Sequence, residues 1–206
     1  MNQEQQVQKP DKRPSISAWF NRGWDIFTSD MANFIIIGLI YLVVIFITSG
    51  SVVGEFLFIG PLSVSFFYII FNKMRGHSVN IGDMGKGFNF FVAAVLSNIL
   101  ITVFSIIGYA LCIIPGILVT AIYLFTPALI VERNLDFWGA MEQSRKITSA
   151  HLIEFFLLAL VLIVLNFVGA LVLIVGLLFT IPLSFAIVAA AYEDIVGLEQ
   201  QGKQEK

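Results

Sequence analysis

Asp136, Glu142, Arg145, His151 and Glu154 fall in one polar stretch and the apolar run that begins beside it. Carboxylates, an imidazole and a guanidinium at such a boundary are side chains with which an interfacial lipid hydrolase could activate water and steady an oxyanion. The spacing does not support that chemistry. There is no HExxH pair, no GxSxG elbow and no paired-acid spacing, so the group reads as an ordinary solvated interface. His77 and His151 are too far apart for a local metal motif. The single cysteine, Cys112, excludes an intrachain disulfide and a cysteine-based metal site. No P-loop or dinucleotide fingerprint occurs, and no catalytic residue, metal or cofactor is expected. Two amides, Asn98 and Asn166, stand inside membrane-length apolar runs. Interhelical hydrogen bonding is their ordinary use there, and a substrate path the sharper one. Glu55 reads as a solvated helix start whose carboxylate suits the helix dipole.

The elements that hold these residues are long and apolar. Of 206 residues, 58% are hydrophobic and 13% charged, against about 25% charged in an ordinary soluble domain. The excess sits in three blocks, 31–71, 90–131 and 152–196. Crossing about 30 Å of hydrocarbon takes about 20 helical residues, so each block has room for two crossings and a tight turn. The expected fold class is all-α: a polytopic integral membrane protein of six transmembrane helices in three hairpins. Residues 1–14 are polar and lack the apolar core of a signal peptide. They and residues 197–206 read as disordered cytoplasmic tails, which leaves 15–196 as one helical membrane domain.

Ahead of the first block, Ile16, Trp19, Phe20, Trp24 and Phe27 recur at helical spacing, with Asn21, Arg22 and Asp25 opposite. This is the pattern of an amphipathic helix lying among headgroups. Span one is expected at 31–48 and span two at 55–71, parted by a turn ending at Gly54. Too little helix follows Pro61 to cross alone, so the helix begins before that proline and is kinked by it. A second prelude, within 72–89, places Ile81, Met84 and Phe88 at helical spacing, weakened by Gly82, Gly85 and Gly87. The second block is expected to turn near Gly108, with Pro115-Gly116 as the competing position, and to bend at Pro127. A third prelude opens with Asp136 as N-cap and carries Phe137, Trp138 and Met141 on its apolar edge. The third block turns within 169–176 and holds Pro182 in its second span. Gly108, Gly169 and Gly176 suit turns or close packing.

FNRGWDIF at 20–27 aligns with MGKGFNFF at 84–91 and more weakly with MEQSRKIT at 141–148, where Ser144 takes the glycine position. After each copy comes a span, then a glycine and a proline: Gly54 and Pro61, Gly108 and Pro115, Gly176 and Pro182. Amphipathic helix, span, turn and kinked span form a unit expected three times, at about 15–75, 76–133 and 134–196. Every Lys and Arg lies outside the three short turns. Positive charge favours the cytoplasmic side, so both termini are expected there, with Trp19, Trp24 and Trp138 as interfacial anchors on that face.

Residues 111–147, LCIIPGILVTAIYLFTPALIVERNLDFWGAMEQSRKI, combine a Pro-Gly pair, an apolar span with a second proline, an acid, and Ala140 four residues before Ser144. In this pattern the chain resembles a loose group of uncharacterised bacterial six-span membrane proteins. It is also similar to the membrane domain fused to some bacterial glycerophosphodiester phosphodiesterases. The resemblance implies a bacterial inner-membrane location and an all-helical fold, and supplies no catalytic residues. The expected function is that of a non-enzymatic integral membrane component: a scaffold, a partner-binding or a lipid-organising protein. A small transporter or channel-like protein is the alternative. Membrane lipids and other membrane or cytoplasmic proteins are the expected partners; the basic residues are too few and dispersed for nucleic acid. A water-accessible cavity between spans favours transport, and a dry interior packed by small residues favours scaffolding.

Overall fold

The computed structural model describes residues 15–172 and 175–199, so the tails expected at 1–14 and from 200 onward lie outside the described residues. Among the described residues every regular element is helical. These are α1 (Ile16–Thr28), α2 (Met31–Thr48), α3 (Val52–Met74), a 3-10 helix η1 (Ile81–Phe90), α4 (Phe91–Leu111), α5 (Ile113–Ile122), α6 (Thr126–Arg133), α7 (Phe137–Ser149), α8 (Leu152–Leu171) and α9 (Leu177–Ile195). Among the described residues six stretches are long and apolar enough to cross a membrane: α2, α3, α4 with η1, α5 with α6, α8 and α9. The protein is an all-α, multi-pass membrane protein. The outer faces of the spans expose Phe46, Ile47, Ile106, Ile153 and Phe167, which lipid tails solvate without cost.

Each prelude starts at a side-chain cap. Ser15 Oγ accepts the Ala18 N–H at 3.4 Å, Asn80 Oδ1 accepts the Gly82 N–H at 2.9 Å, and Asp136 Oδ1 accepts the Gly139 N–H at 3.1 Å. These bonds satisfy donors that a helix start leaves open. The middle prelude is 3-10 rather than α-helical. Its three glycines weaken an α-helix, and Ser65 Oγ on α3 pins it by donating to Met84 O at 2.7 Å and accepting the Gly87 N–H at 2.9 Å.

The prolines and glycines act differently from one another. α3 begins before Pro61 and runs through it, and α9 likewise contains Pro182. The second hairpin reverses at Cys112, whose backbone is extended, and not at Gly108 or at Pro115-Gly116. Those glycines stay inside their helices because the helices approach closely there. A Cβ on Gly108 would stand 2.9 Å from Gly116 Cα, and one on Gly116 would enter the Tyr109 ring. Pro115 sits in the first turn of α5, where its missing N–H removes no helical bond. At Pro127 the span breaks rather than bends. α5 stops at Ile122 and α6 restarts at Thr126, because the ring crowds the carbonyl four residues earlier, that of Tyr123. The third reversal falls between Leu171 and Leu177, within the expected interval. There Gly169 and Gly176 face each other, with backbone atoms a Cβ on Gly176 would meet at 2.8 Å.

Ser144 on α7 repairs the break in span four. It is fully buried, donates to Ile122 O at 2.8 Å and accepts the Phe125 N–H at 3.2 Å. Thr148 Oγ1 also donates to Ile122 O at 2.8 Å. Ser144→Ala therefore strands one buried N–H, and is expected to lower stability by about 2 kcal/mol, read from the midpoint of SDS-driven unfolding in mixed micelles.

The six spans close into a ring. α2 packs on α3, α3 on α4, α4 on α5, α5 on α8, α8 on α9, and α9 back on α2. The second span of each hairpin lies inward: 56%, 44% and 50% of their apolar windows are buried, against 28%, 17% and 28% for the first spans. Helices in lipid gain little from apolar burial, so close approach at small residues supplies the packing. A Cβ on Gly38 of α2 would reach Pro182 Cγ at 2.7 Å, and one on Gly60 of α3 the Ala94 carbonyl carbon at 2.9 Å. The preludes seat on inner spans: α1 on α9, η1 on α3 and α7 on α6. At the aligned position Gly23 backs onto Ile187 Cα, and Gly87 onto the backbone of Pro61 and Ser65; Ser144 bonds to the backbone at Ile122 and Phe125.

This seating corrects the reading of Trp19 as a headgroup anchor. Trp19 is 2% exposed, its Nε1–H donates to Asp194 Oδ2 at 2.9 Å, and its ring stacks on Phe155 at 5.5 Å. An apolar stripe that fits headgroups fits another helix equally well, and Gly23 lets α1 come close enough for α9 and α8 to enclose the indole. Trp24 and Trp138 are exposed. The residues from Gly197 to Glu199, expected to begin a tail, are tied down: Glu199 N–H donates to Glu132 Oε1 at 2.8 Å.

Candidate functional site

Three aromatics divide the interior. Phe71, Phe125 and Tyr192 stand ten residues after Pro61, Pro115 and Pro182 respectively, one in each inner span of the ring, and all are fully buried. The Tyr192 ring lies 5.2 Å from Phe71 and meets Phe125 edge-on at 5.4 Å. Phe125 in turn meets Phe155 edge-on at 5.0 Å.

On one side of this layer the helix ends are charged. Glu132, buried at the end of α6, pairs with Arg75. Arg133 pairs with Glu199 at 3.2 Å, Arg22 with Glu193 at 3.2 Å and Lys73 with Asp30 at 3.6 Å. On the other side lies a partly open cavity of about 320 Å³ between α3, α4, α5, α8 and α9. Its polar lining is Ser63, Ser97, Asn98, Thr120, Tyr123, Asn166 and Ser184, set among residues such as Phe67, Ile101 and Phe185. Among the described residues no acidic or basic side chain lines it.

Both amides singled out in the sequence reach this cavity. Asn166 also makes interhelical contact: Nδ2 donates to Ser184 Oγ at 2.8 Å and to Leu162 O at 2.9 Å. Sequence reasoning missed Ser63, Ser97, Thr120, Tyr123 and Ser184. The shared Pro-Leu-Ser tripeptide at Pro61 and Pro182 was the available signal, since its serines are Ser63 and Ser184. The aromatic layer was missed too, although its constant offset from the three prolines is written in the chain.

The acid–base group is dispersed. Asp136 caps α7. The Arg145 guanidinium hydrogen-bonds both oxygens of Glu142, at 2.9 and 2.8 Å, and holds its carboxyl down at about 2 with Lys146 adding to the effect. Glu142 is thus ionised at neutral pH and serves as an ion-pair partner. His151 and Glu154 open α8, and no hydrogen bond or ion pair among the described residues joins them to Asp136, Glu142 or Arg145. Among the described residues no cluster of three metal-ligating side chains occurs. Glu55 is exposed in the first turn of α3. The chain matches no protein-family model, no curated protein and no solved structure.

Proposed function

We propose that this chain is a non-enzymatic component of the bacterial inner membrane that organises lipid by holding an uncharged amphiphilic molecule between its spans. The cavity carries the reading. At about 320 Å³ it falls within the range of small-ligand pockets, mostly apolar with a few placed polar groups. A charged solute buried there would lack a countercharge, which is costly inside a membrane. Charge asymmetry supports cytoplasmic placement of the helix ends that carry Arg22, Lys73, Arg75 and Arg133, and with them both termini. The preludes α1, η1 and α7 then lie at the cytoplasmic leaflet, their apolar faces turned to the inner spans. A threefold repeat is supported by three agreeing features: the glycine and proline spacing, the matching seats of the preludes, and the aromatic that follows each proline at one offset. Kinship with the membrane domain of bacterial glycerophosphodiester phosphodiesterases rests on the segment at 111–147 and accords with a lipid-facing role. Transport is the second reading. Asn98 and Asn166 on the cavity wall favour it, while Phe71, Phe125 and Tyr192 stand between the cavity and the charged end, so a conduit needs them to part.

Cysteine accessibility in intact cells tests both. In a Cys112→Ser background, Gly50→Cys at the first turn is expected to react with a membrane-impermeant thiol reagent, while Asn98→Cys and Ser184→Cys react only with a lipid-soluble maleimide. Impermeant labelling of Asn98→Cys that a water-soluble solute blocks would replace the lipid reading with transport. Labelling of Gly50→Cys only after lysis would reverse the orientation.

A further inference from the structure

We infer that the molecule held in the cavity is a neutral lipid alcohol, recognised through the proton of its hydroxyl; this rests on the lipid-holding reading above. The argument is a count of hydrogen-bonding capacity. A serine or threonine hydroxyl has one proton and two lone pairs. The proton of Ser97 goes to Ala94 O at 3.2 Å, that of Thr120 to Gly116 O at 3.1 Å and that of Ser184 to Thr180 O at 2.7 Å. Each proton is therefore committed to its own helix, and what these hydroxyls retain is acceptor capacity. Ser63 shares a hydrogen bond with Tyr41 at 3.1 Å, which occupies one of their two protons. Both Nδ2 protons of Asn166 are committed, to Leu162 O and Ser184 Oγ, while its Oδ1 has no partner among the described residues.

The wall therefore offers more lone pairs than protons, the free protons being those of the Asn98 amide, the Tyr123 hydroxyl and one of the Ser63–Tyr41 pair. A phosphate or carboxylate headgroup, which brings only acceptors and negative charge, meets no cation on the described wall and leaves its lone pairs unanswered. A fully esterified headgroup, which also brings only acceptors, fits little better. A hydroxyl supplies the missing proton and needs only one donor in return. Asn98 provides it: its side chain lines the cavity, and its amide forms no hydrogen bond to another described residue. The apolar lining at Phe67, Ile101, Leu124 and Phe185 takes the first part of the hydrocarbon chain. Because the cavity is partly open, the remainder of the chain can continue into the bilayer.

The test uses the full chain in lipid nanodiscs with three diazirine-bearing probes of equal chain length: a monoacylglycerol, its diacetylated form and its phosphorylated form. The monoacylglycerol is expected to label peptides covering 94–101 and 120–127 about tenfold better than either of the others, the ratio one net hydrogen bond confers. Ser97→Ala combined with Thr120→Val, which removes two accepting oxygens of the wall at nearly constant volume, is expected to retain labelling while the preference for the free hydroxyl collapses toward unity. Equal labelling by the monoacylglycerol and its diacetylated form overturns the hydroxyl inference and leaves the lipid-holding reading standing. Preference for the phosphorylated probe overturns the inference as well, as does an undiminished preference in the Ser97→Ala, Thr120→Val variant. Absence of cavity labelling by all three probes overturns the lipid-holding reading itself.

Discussion

Glu132→Ala is expected to lower stability by about 3–5 kcal/mol, the range for removing one partner of a buried ion pair. The Glu132 side chain is 4% exposed and that of Arg75 is 17% exposed, so little water is at hand to replace what is lost. Glu132 Oε1 accepts both from Arg75 and from the Glu199 N–H. The substitution leaves a guanidinium whose Nε already lacks a partner and a backbone donor without its acceptor. The same replacement also loosens the segment at Glu199, which among the described residues then keeps the Arg133 ion pair and the Arg75 bond to its carbonyl. The double variant Glu132→Met with Arg75→Met is expected to recover most of the loss, since the desolvation cost of both charges goes with the pair. SDS-driven unfolding, completed as a double-mutant cycle, measures it. Independent, additive effects of the two single variants would remove the pair from any account of stability.

Phe125→Ala is the second large effect, expected at about 3 kcal/mol, the low end for an aromatic removed from a packed interior. The low end follows from the solvent. In a soluble protein the displaced ring returns to water, whereas in an unfolded state held by lipid it returns to hydrocarbon, so the transfer contribution shrinks and the lost contacts remain. Those contacts are substantial: Tyr192 at 5.4 Å, Phe155 at 5.0 Å, and a side chain with no exposure. Phe125→Leu is expected to cost about half as much. The alanine variant also removes one of three rings between the cavity and the charged end. In inside-out vesicles, Ser63→Cys in the Cys112→Ser background is therefore expected to become reactive toward an impermeant reagent when Phe125→Ala is added. Unchanged protection of Ser63→Cys would show that Phe71 and Tyr192 suffice to close that side.

The architecture was legible because membrane crossing imposes a length. Three apolar blocks, each long enough for two spans, give six crossings, and α2 falls where the sequence places it, Met31–Thr48. Reversals were less legible. Cys112 carries no turn signature, and its place is decided by Gly108 and Gly116 pressing the two helices together, a contact between faces that one-dimensional spacing does not contain. Trp19 was misread for a related reason: an apolar stripe announces that a face is covered, not what covers it. The cavity was half legible. Asn98 and Asn166 stand out because amides are rare in hydrocarbon, whereas Ser63, Ser97, Thr120 and Ser184 blend in, since a hydroxyl can satisfy itself on its own helix. Which of them share a space depends on how five helices meet.

The seat of α1 on α9 joins the first described helix to the last, through a hydrogen bond between residues 175 apart in the chain. Synthesis proceeds from the N-terminus at about 5–20 residues per second, so α1 leaves the ribosome well before its partner exists. Until α9 inserts, the glycine notch at Gly23 and the indole of Trp19 have only lipid or a chaperone to rest against. The middle and last preludes face no such delay, because η1 and α7 follow the spans that receive them. Seating of the three preludes is therefore asymmetric in time even though each rests on an inner span. The middle and last preludes can seat as they are made, and the final step is a long-range closure in which α9 meets both α1 and α2.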